Sequence, residues 1–197
     1  MPQILKDTIK NKILETALNE FLIKGYLNTS MKGIALGAGI AVGNIYNYFK
    51  DKEELYATIG MPVISAIDRL LCSPPDTMNI AGIEKKLIQF IDISKGNEKA
   101  FIMLISNSRN TRFEKMRDNI VDKFAQAISR WKNLINDGMG KTDGDIFIKA
   151  FAESYISGVV SILSEKIEEE EKLIILYDYL SFMKNAIYKK FVKKAVV

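Results

Sequence analysis

The sequence predicts an all-α chain, and three observations carry that expectation. Apolar residues recur at steps of three and four along most of the 197 residues, the spacing that keeps one helical face buried. Turn residues fall between the periodic runs, as at Gly25-Tyr26 and Ser73-Pro74-Pro75-Asp76. The one glycine-dense stretch, Gly37 to Gly43, has no strand before it and no βαβ pattern around it, so a dinucleotide-binding loop is rejected. With 48% hydrophobic residues the chain can bury a sizeable core in one domain or two.

The first helix is expected from Thr8 to Lys24, where Ile9, Ile13, Leu14, Ala17, Leu18, Phe21 and Leu22 share a face and Gly25-Tyr26 end the run. Ser30, or Thr29 before it, caps a second helix that buries Met31, Ile34, Ala35 and Ala38, and Gly39 supplies the left-handed residue that ends it. A third starts near Val42. Helices of a turn or two do not repay their own nucleation, so the first must pack behind the other two. The unit is a three-helix helix-turn-helix, whose last helix is the candidate for the DNA major groove. On it Ile45 and Phe49, four apart, face the core, which leaves Val42, Gly43, Asn44, Tyr46, Asn47 and Tyr48 outward.

The run Ile13, Ala17, Phe21, Gly25-Tyr26, Thr29-Ser30, Ile34-Ala35, Ala38-Gly39, Gly43, Ile45-Tyr46, Tyr48-Phe49, Lys52-Glu53 and Leu55 closely resembles the DNA-binding domain of the TetR family of bacterial transcriptional regulators. It covers about the first quarter of the chain and is specific because the positions match in order and without gaps. The resemblance implies that Gly43 and Asn44 approach base edges, that Tyr46 touches base or phosphate, and that Tyr48 and Lys52 hold phosphates. Thr29, Lys32, Val42 and Asn47 complete the expected DNA-contacting set. One position departs from the family: Ala41 stands where a capping serine or threonine is usual, so the amides of the third helix begin without a side-chain cap.

Charge adds little by itself. The net charge is +4, and residues 1 to 52 hold seven lysines against four acids. Lys6, Lys10 and Lys12 sit just before and within the first turns of the first helix, where they are unfavourable to the helix dipole but able to reach flanking phosphates. No arginine precedes Arg69, so the usual bidentate partner of guanine is missing from the reader. Asn44 and Asn47 suit adenine, and Val42 and Tyr46 suit thymine methyls. An A·T-rich operator core is expected.

Histidine is absent and Cys72 is the single cysteine, which removes the commonest general base, the Ser-His and Cys-His nucleophile pairs, and a zinc site. An enzyme is not expected, nor a metal or cofactor. One cysteine and no consecutive apolar run of spanning length favour a cytoplasmic protein with no membrane partner.

Asp51 and Glu54 form a capping box for a fourth helix from Lys52, along which Pro62, close to Gly60, predicts a kink or a break. Residues 1–52 are read as the DNA-binding domain and 53–197 as a helical effector-binding and dimerisation domain. Helices are expected at about 78–95, 98–108, 112–137, 144–166 and 169–192. In the family this half encloses a pocket for a small molecule; Phe90, Phe101, Met103, Trp131 and Tyr155 are the candidates here. Ala150, Ser154, Gly158 and Ser161 form a strip of small residues, and Leu176, Leu180, Met183 and Ile187 an apolar seam, which together predict a homodimer interface. The expected function is a repressor that binds a palindromic DNA operator and is released by a small effector. The alternative is a DNA-binding architectural or protein-regulated factor without a small ligand.

Overall fold

The computed structural model describes residues 3–73, 80–135 and 143–191, apart from some side chains within them, that of Trp131 included. Among these residues the regular elements are all helices: α1 Gln3–Asn28, α2 Met31–Gly37, α3 Val42–Ile45, α4 Lys52–Cys72, α5 Ile80–Ser94, α6 Glu98–Ser106, α7 Met116–Ile135, α8 Asp143–Ser164 and α9 Glu169–Phe191. The expected elements are all present. Of the Ser73 to Asp76 turn, residues 74–76 lie outside the described set.

Local chemistry sets the boundaries. Gly25 leaves helical geometry at φ 73° and ψ 167°, so α1 continues past it only as a kinked last turn. Ser30 caps α2 by accepting the Gly33 N–H at 3.0 Å. Gly39, at φ 66°, makes the left-handed turn into α3. At the start of α4, Asp51 Oδ1 accepts the Glu54 N–H at 2.8 Å, and the Glu54 carboxylate reaches back to the Lys50 N–H at 2.6 Å. Of the kink or break expected at Pro62, the break does not occur, and α4 runs through it. An internal proline costs about 3 kcal/mol, whereas burial of Leu55, Tyr56, Val63 and Ile67 on either side of it contributes about 1.5–3 kcal/mol for each side chain.

Contacts divide the chain into two compact units, one of Met1–Ser65 with Lys99–Arg117 and one of Ala66–Glu98 with Asp118–Val197. In the first, α1 packs on α2 and α2 on α3 over Ile13, Ala17, Phe21, Ile34 and Ile45. Tyr56 stands at the centre of a ring cluster, 5.1 Å from Phe21, 5.5 Å from Tyr26 and 5.7 Å from Phe113. Its hydroxyl donates to the Met103 carbonyl at 2.9 Å, and burial pushes its pKa up. Phe101 and Met103, expected in a ligand pocket, are buried in this unit instead. The apolar face of α6 is spent on the core beside α4, where Leu104 lies against Gly60.

In the second unit α9 packs on α5 and α8. The Tyr179 hydroxyl donates to the Ser154 carbonyl at 2.8 Å, and its ring lies so close to Gly158 that a Cβ there would collide with it. Gly158 is therefore small for an intrachain reason. Leu176, Leu180 and Met183, expected in a dimer seam, are buried within the chain. Sequence spacing identified the apolar face of α9 correctly but not what it faces.

One expectation about membranes also needs correcting. No long consecutive apolar run occurs, yet α4 and residues Asp145–Ser164 of α8 are long and apolar enough, by length and composition, to cross a membrane. Both have buried faces in the helical core, with Leu55 and Ile67 on α4 and Ala152 and Val159 on α8.

Candidate nucleic-acid interface and an apolar cavity

The reader is built outward from Ile45 and Phe49, both buried, which anchor α3 and the turn after it. The helix itself is one turn long, and the chain continues in tight turns with the Asn47 N–H on the Asn44 carbonyl at 3.1 Å and the Tyr48 N–H on the Ile45 carbonyl at 3.0 Å. Ala41 caps it with no side-chain bond, as expected. Gly43, Asn44, Tyr46 and Asn47 are exposed, Tyr46 to 54% despite its ring, while Val42 and Tyr48 are half-buried. Apart from its chain neighbours and the backbone of its own helix, no described atom lies within 4 Å of where a Gly43 Cβ would stand, so its face is open. Lys32 is exposed in the first turn of α2.

Lys6, Asp7, Ile9 and Lys10 of α1 line one groove with Ile40, Asn44, Asn47 and Tyr48. The Lys10 ammonium lies 5.9 Å from the centre of the Phe49 ring. The opening turns of α1 thus bring cations beside the Asn44 and Asn47 amides. Ile40 was not singled out in the sequence; its half-burial beside the turn at Gly39 is a tertiary fact with no periodic signal.

Two members of the expected contact set have internal roles. Thr29 is only 2% exposed, and its single O–H is shared between the carbonyls of Gly25 at 2.8 Å and Glu20 at 3.1 Å. The Lys52 ammonium donates to the carbonyls of Tyr26 at 2.5 Å, Thr29 at 2.8 Å and Leu27 at 3.4 Å, and sits 4.2 Å from the centre of the Tyr26 ring. Burial lowers its pKa. Tyr26 has its pKa raised, by burial first and then by the carboxylates of Glu53 and Asp51.

This geometry coincides with a known domain. The family model of the bacterial regulatory proteins of the tetR family matches residues 13–59. The biofilm operon icaADBC HTH-type negative transcriptional regulator IcaR of Staphylococcus epidermidis is 30% identical over 100 residues, which is 50% of this chain and 54% of that protein. The match therefore spans about half the length of each. A TetR-like transcriptional regulator from Rhodococcus sp. RHA1 superposes with a TM-score of 0.63 at 18% identity, over 88% of this chain and 93% of that one. NalD, the secondary repressor of the MexAB-OprM multidrug efflux pump in Pseudomonas aeruginosa, gives 0.58 at 18% identity, over 92% and 98%.

Residues 13–59 thus match the DNA-binding domain of the tetR family of bacterial regulatory proteins. The reader carries the family's sequence signature, and the rest of the chain shares the family's all-helical fold.

The second unit holds an apolar cavity of about 60 Å³ among α4, α5, α7, α8 and α9. Phe90 and Tyr155 line it, together with Ile67, Phe124, Phe151 and Met183. Lys86 and Lys184 are the charged residues of its lining. Lys86 donates to the Leu70 carbonyl at 3.1 Å and to Ser73 Oγ at 2.5 Å. The Tyr155 ring lies tilted with its centre 4.3 Å from that of Phe124, and burial raises its pKa. Ile187, expected at a dimer seam, lines this cavity instead. Phe101 and Met103 do not, and the Trp131 side chain lies outside the described residues.

Proposed function

We propose that this protein is a cytoplasmic homodimeric repressor that binds a palindromic, A·T-rich operator and is released by a small apolar effector. The observation that carries the reading is the exposed set Gly43, Asn44, Tyr46 and Asn47 on an anchored turn, flanked by Lys6 and Lys10. Asparagine amides suit the paired donor and acceptor of adenine, and the lysines suit phosphate. The functional boundary belongs after Lys52, where the reader gives way to α4. Repression has support in the negative regulation named for IcaR, to which half of this chain is similar.

A dimer is proposed through α8 and α9. On α8, Ile146, Ala150, Ser154 and Ser161 lie exposed along the helix, and on α9 so do Ile174 and Phe182, the latter to 69%. Large apolar side chains beside a strip of small ones suit close packing of a second helix pair. Two readers about 34 Å apart, or a near multiple, would meet successive major grooves. No membrane partner is proposed.

The cavity supports an effector through its apolar lining. A second reading, DNA binding without a small ligand, is favoured by its size, since 60 Å³ has room for only about two waters at about 30 Å³ each. An effector would have to part the helices as it enters. It acts through its differential affinity for the two states, so a thousandfold release needs about 4 kcal/mol of coupling.

The test is selection from a pool of random duplexes at two salt concentrations. The expected outcome is a palindromic consensus, with A·T pairs at the contacted positions and affinity that falls steeply with salt. A consensus rich in G·C at those positions would refute the base assignment. Retention without any consensus would favour an architectural DNA binder.

A further inference from the structure

We propose that Lys52 is a positioning residue, a clasp that fixes the reader to the start of α4, and that it holds no DNA phosphate. The inference rests on the DNA-binding reading above and departs from what the family resemblance implies for this position. An ammonium has three N–H donors. The structure supplies three carbonyl oxygens within reach, those of Tyr26, Leu27 and Thr29, so a phosphate could be engaged only by giving one of them up.

The place of those carbonyls gives the clasp its purpose. Tyr26 and Leu27 lie in the last turn of α1 beyond the break at Gly25, and Thr29 lies in the link to α2. Carbonyls at a helix end lack intrahelical partners and attract positive charge. Lys52 satisfies them from the first position of α4 and adds the face of the Tyr26 ring. Tyr26 stacks 5.8 Å from Phe21 and meets Tyr56 edge-on, so the same ring ties α1 and α4 by packing as well. The Thr29 hydroxyl closes the far side of the cup on Gly25. The α1–α2 junction and the start of α4 are thereby held as one piece, and the attitude of α2 and α3 is set from α4.

Two substitutions separate a clasp from a phosphate contact. Lys52→Met keeps the stem and removes the ammonium; Lys52→Arg keeps the charge but presents a flat fork that does not fit three converging carbonyls. The measurements are thermal melting of the full chain and the slope of log affinity against log salt on the selected duplex. A clasp predicts that both variants melt at least about 5 °C lower and bind DNA more weakly at every salt, with the slope unchanged.

A phosphate contact predicts that Lys52→Met loses about 0.9 of slope per subunit, that Lys52→Arg binds like the parent, and that neither melts early. Any of these three results overturns the clasp. If Lys52→Met fails to fold, the arginine variant still decides the matter. If the parent chain binds no duplex, the DNA-binding reading fails, while the melting comparison still tests the clasp. Lys32→Met serves as the control, because that side chain is exposed in the first turn of α2 and should cost slope without lowering the melting temperature.

Discussion

Asn44 and Thr29 mark two kinds of residue that a motif alone does not separate. Asn44 is exposed on an anchored turn, so Asn44→Ala with Tyr46→Ala should abolish sequence-specific retention while leaving the melting temperature within about 2 °C of the parent. Circular dichroism melts together with gel shifts on the selected duplex would check both halves of that statement. Thr29 is the converse case. Its buried hydroxyl bonds two α1 carbonyls, so Thr29→Val keeps the shape, strands those acceptors and should cost about 1–3 kcal/mol of stability with the salt slope intact. Chemical denaturation reads the first quantity and a salt titration the second.

At the scale of the element, α9 has two faces with different fates. Its seam of Leu176, Leu180 and Met183 is buried in the chain's own core, so Leu180→Ala should destabilise the fold by about 2–5 kcal/mol whether or not a dimer forms. The exposed face carries Ile174 and Phe182, and Phe182→Glu should shift the chain toward monomer while leaving its helical content unchanged. Analytical ultracentrifugation over a range of concentrations would show the shift. If Phe182→Glu sediments like the parent, the proposed α8 and α9 interface is wrong. Gly158 belongs to the first class as well, since its missing side chain admits Tyr179. The apolar period was legible in the sequence because helical geometry repeats it; the burying partner was not, because a seam looks the same whether it packs inside one chain or between two.

For the whole molecule, ligand linkage gives the proposed effector a measurable form. An apolar compound that enters the cavity beside Phe90, Phe124 and Tyr155 should raise the melting temperature in proportion to the logarithm of its concentration above its dissociation constant. It should weaken operator binding over the same range. Phe124→Trp, which fills the space, should lower the first response without changing DNA affinity in the absence of ligand. A panel of apolar compounds that gives no shift at any concentration would support the reading without a small ligand.

The sequence by itself determined the helices, their order and the identity of the reader. Those follow from periodicity, caps and turns, which are interactions among residues close in the chain: Ser30 on Gly33, Asp51 on Glu54, and the left-handed turn at Gly39. The tertiary structure decided which of several equivalent uses each side chain has. Lys52 is 23 to 26 residues from the carbonyls it binds, Met103 is 47 from Tyr56, and Tyr179 is 25 from the Ser154 carbonyl it meets. A lysine that reaches a phosphate and one that caps a distant helix have the same local sequence. Only the folded chain, by bringing remote backbone within hydrogen-bonding distance, distinguishes them.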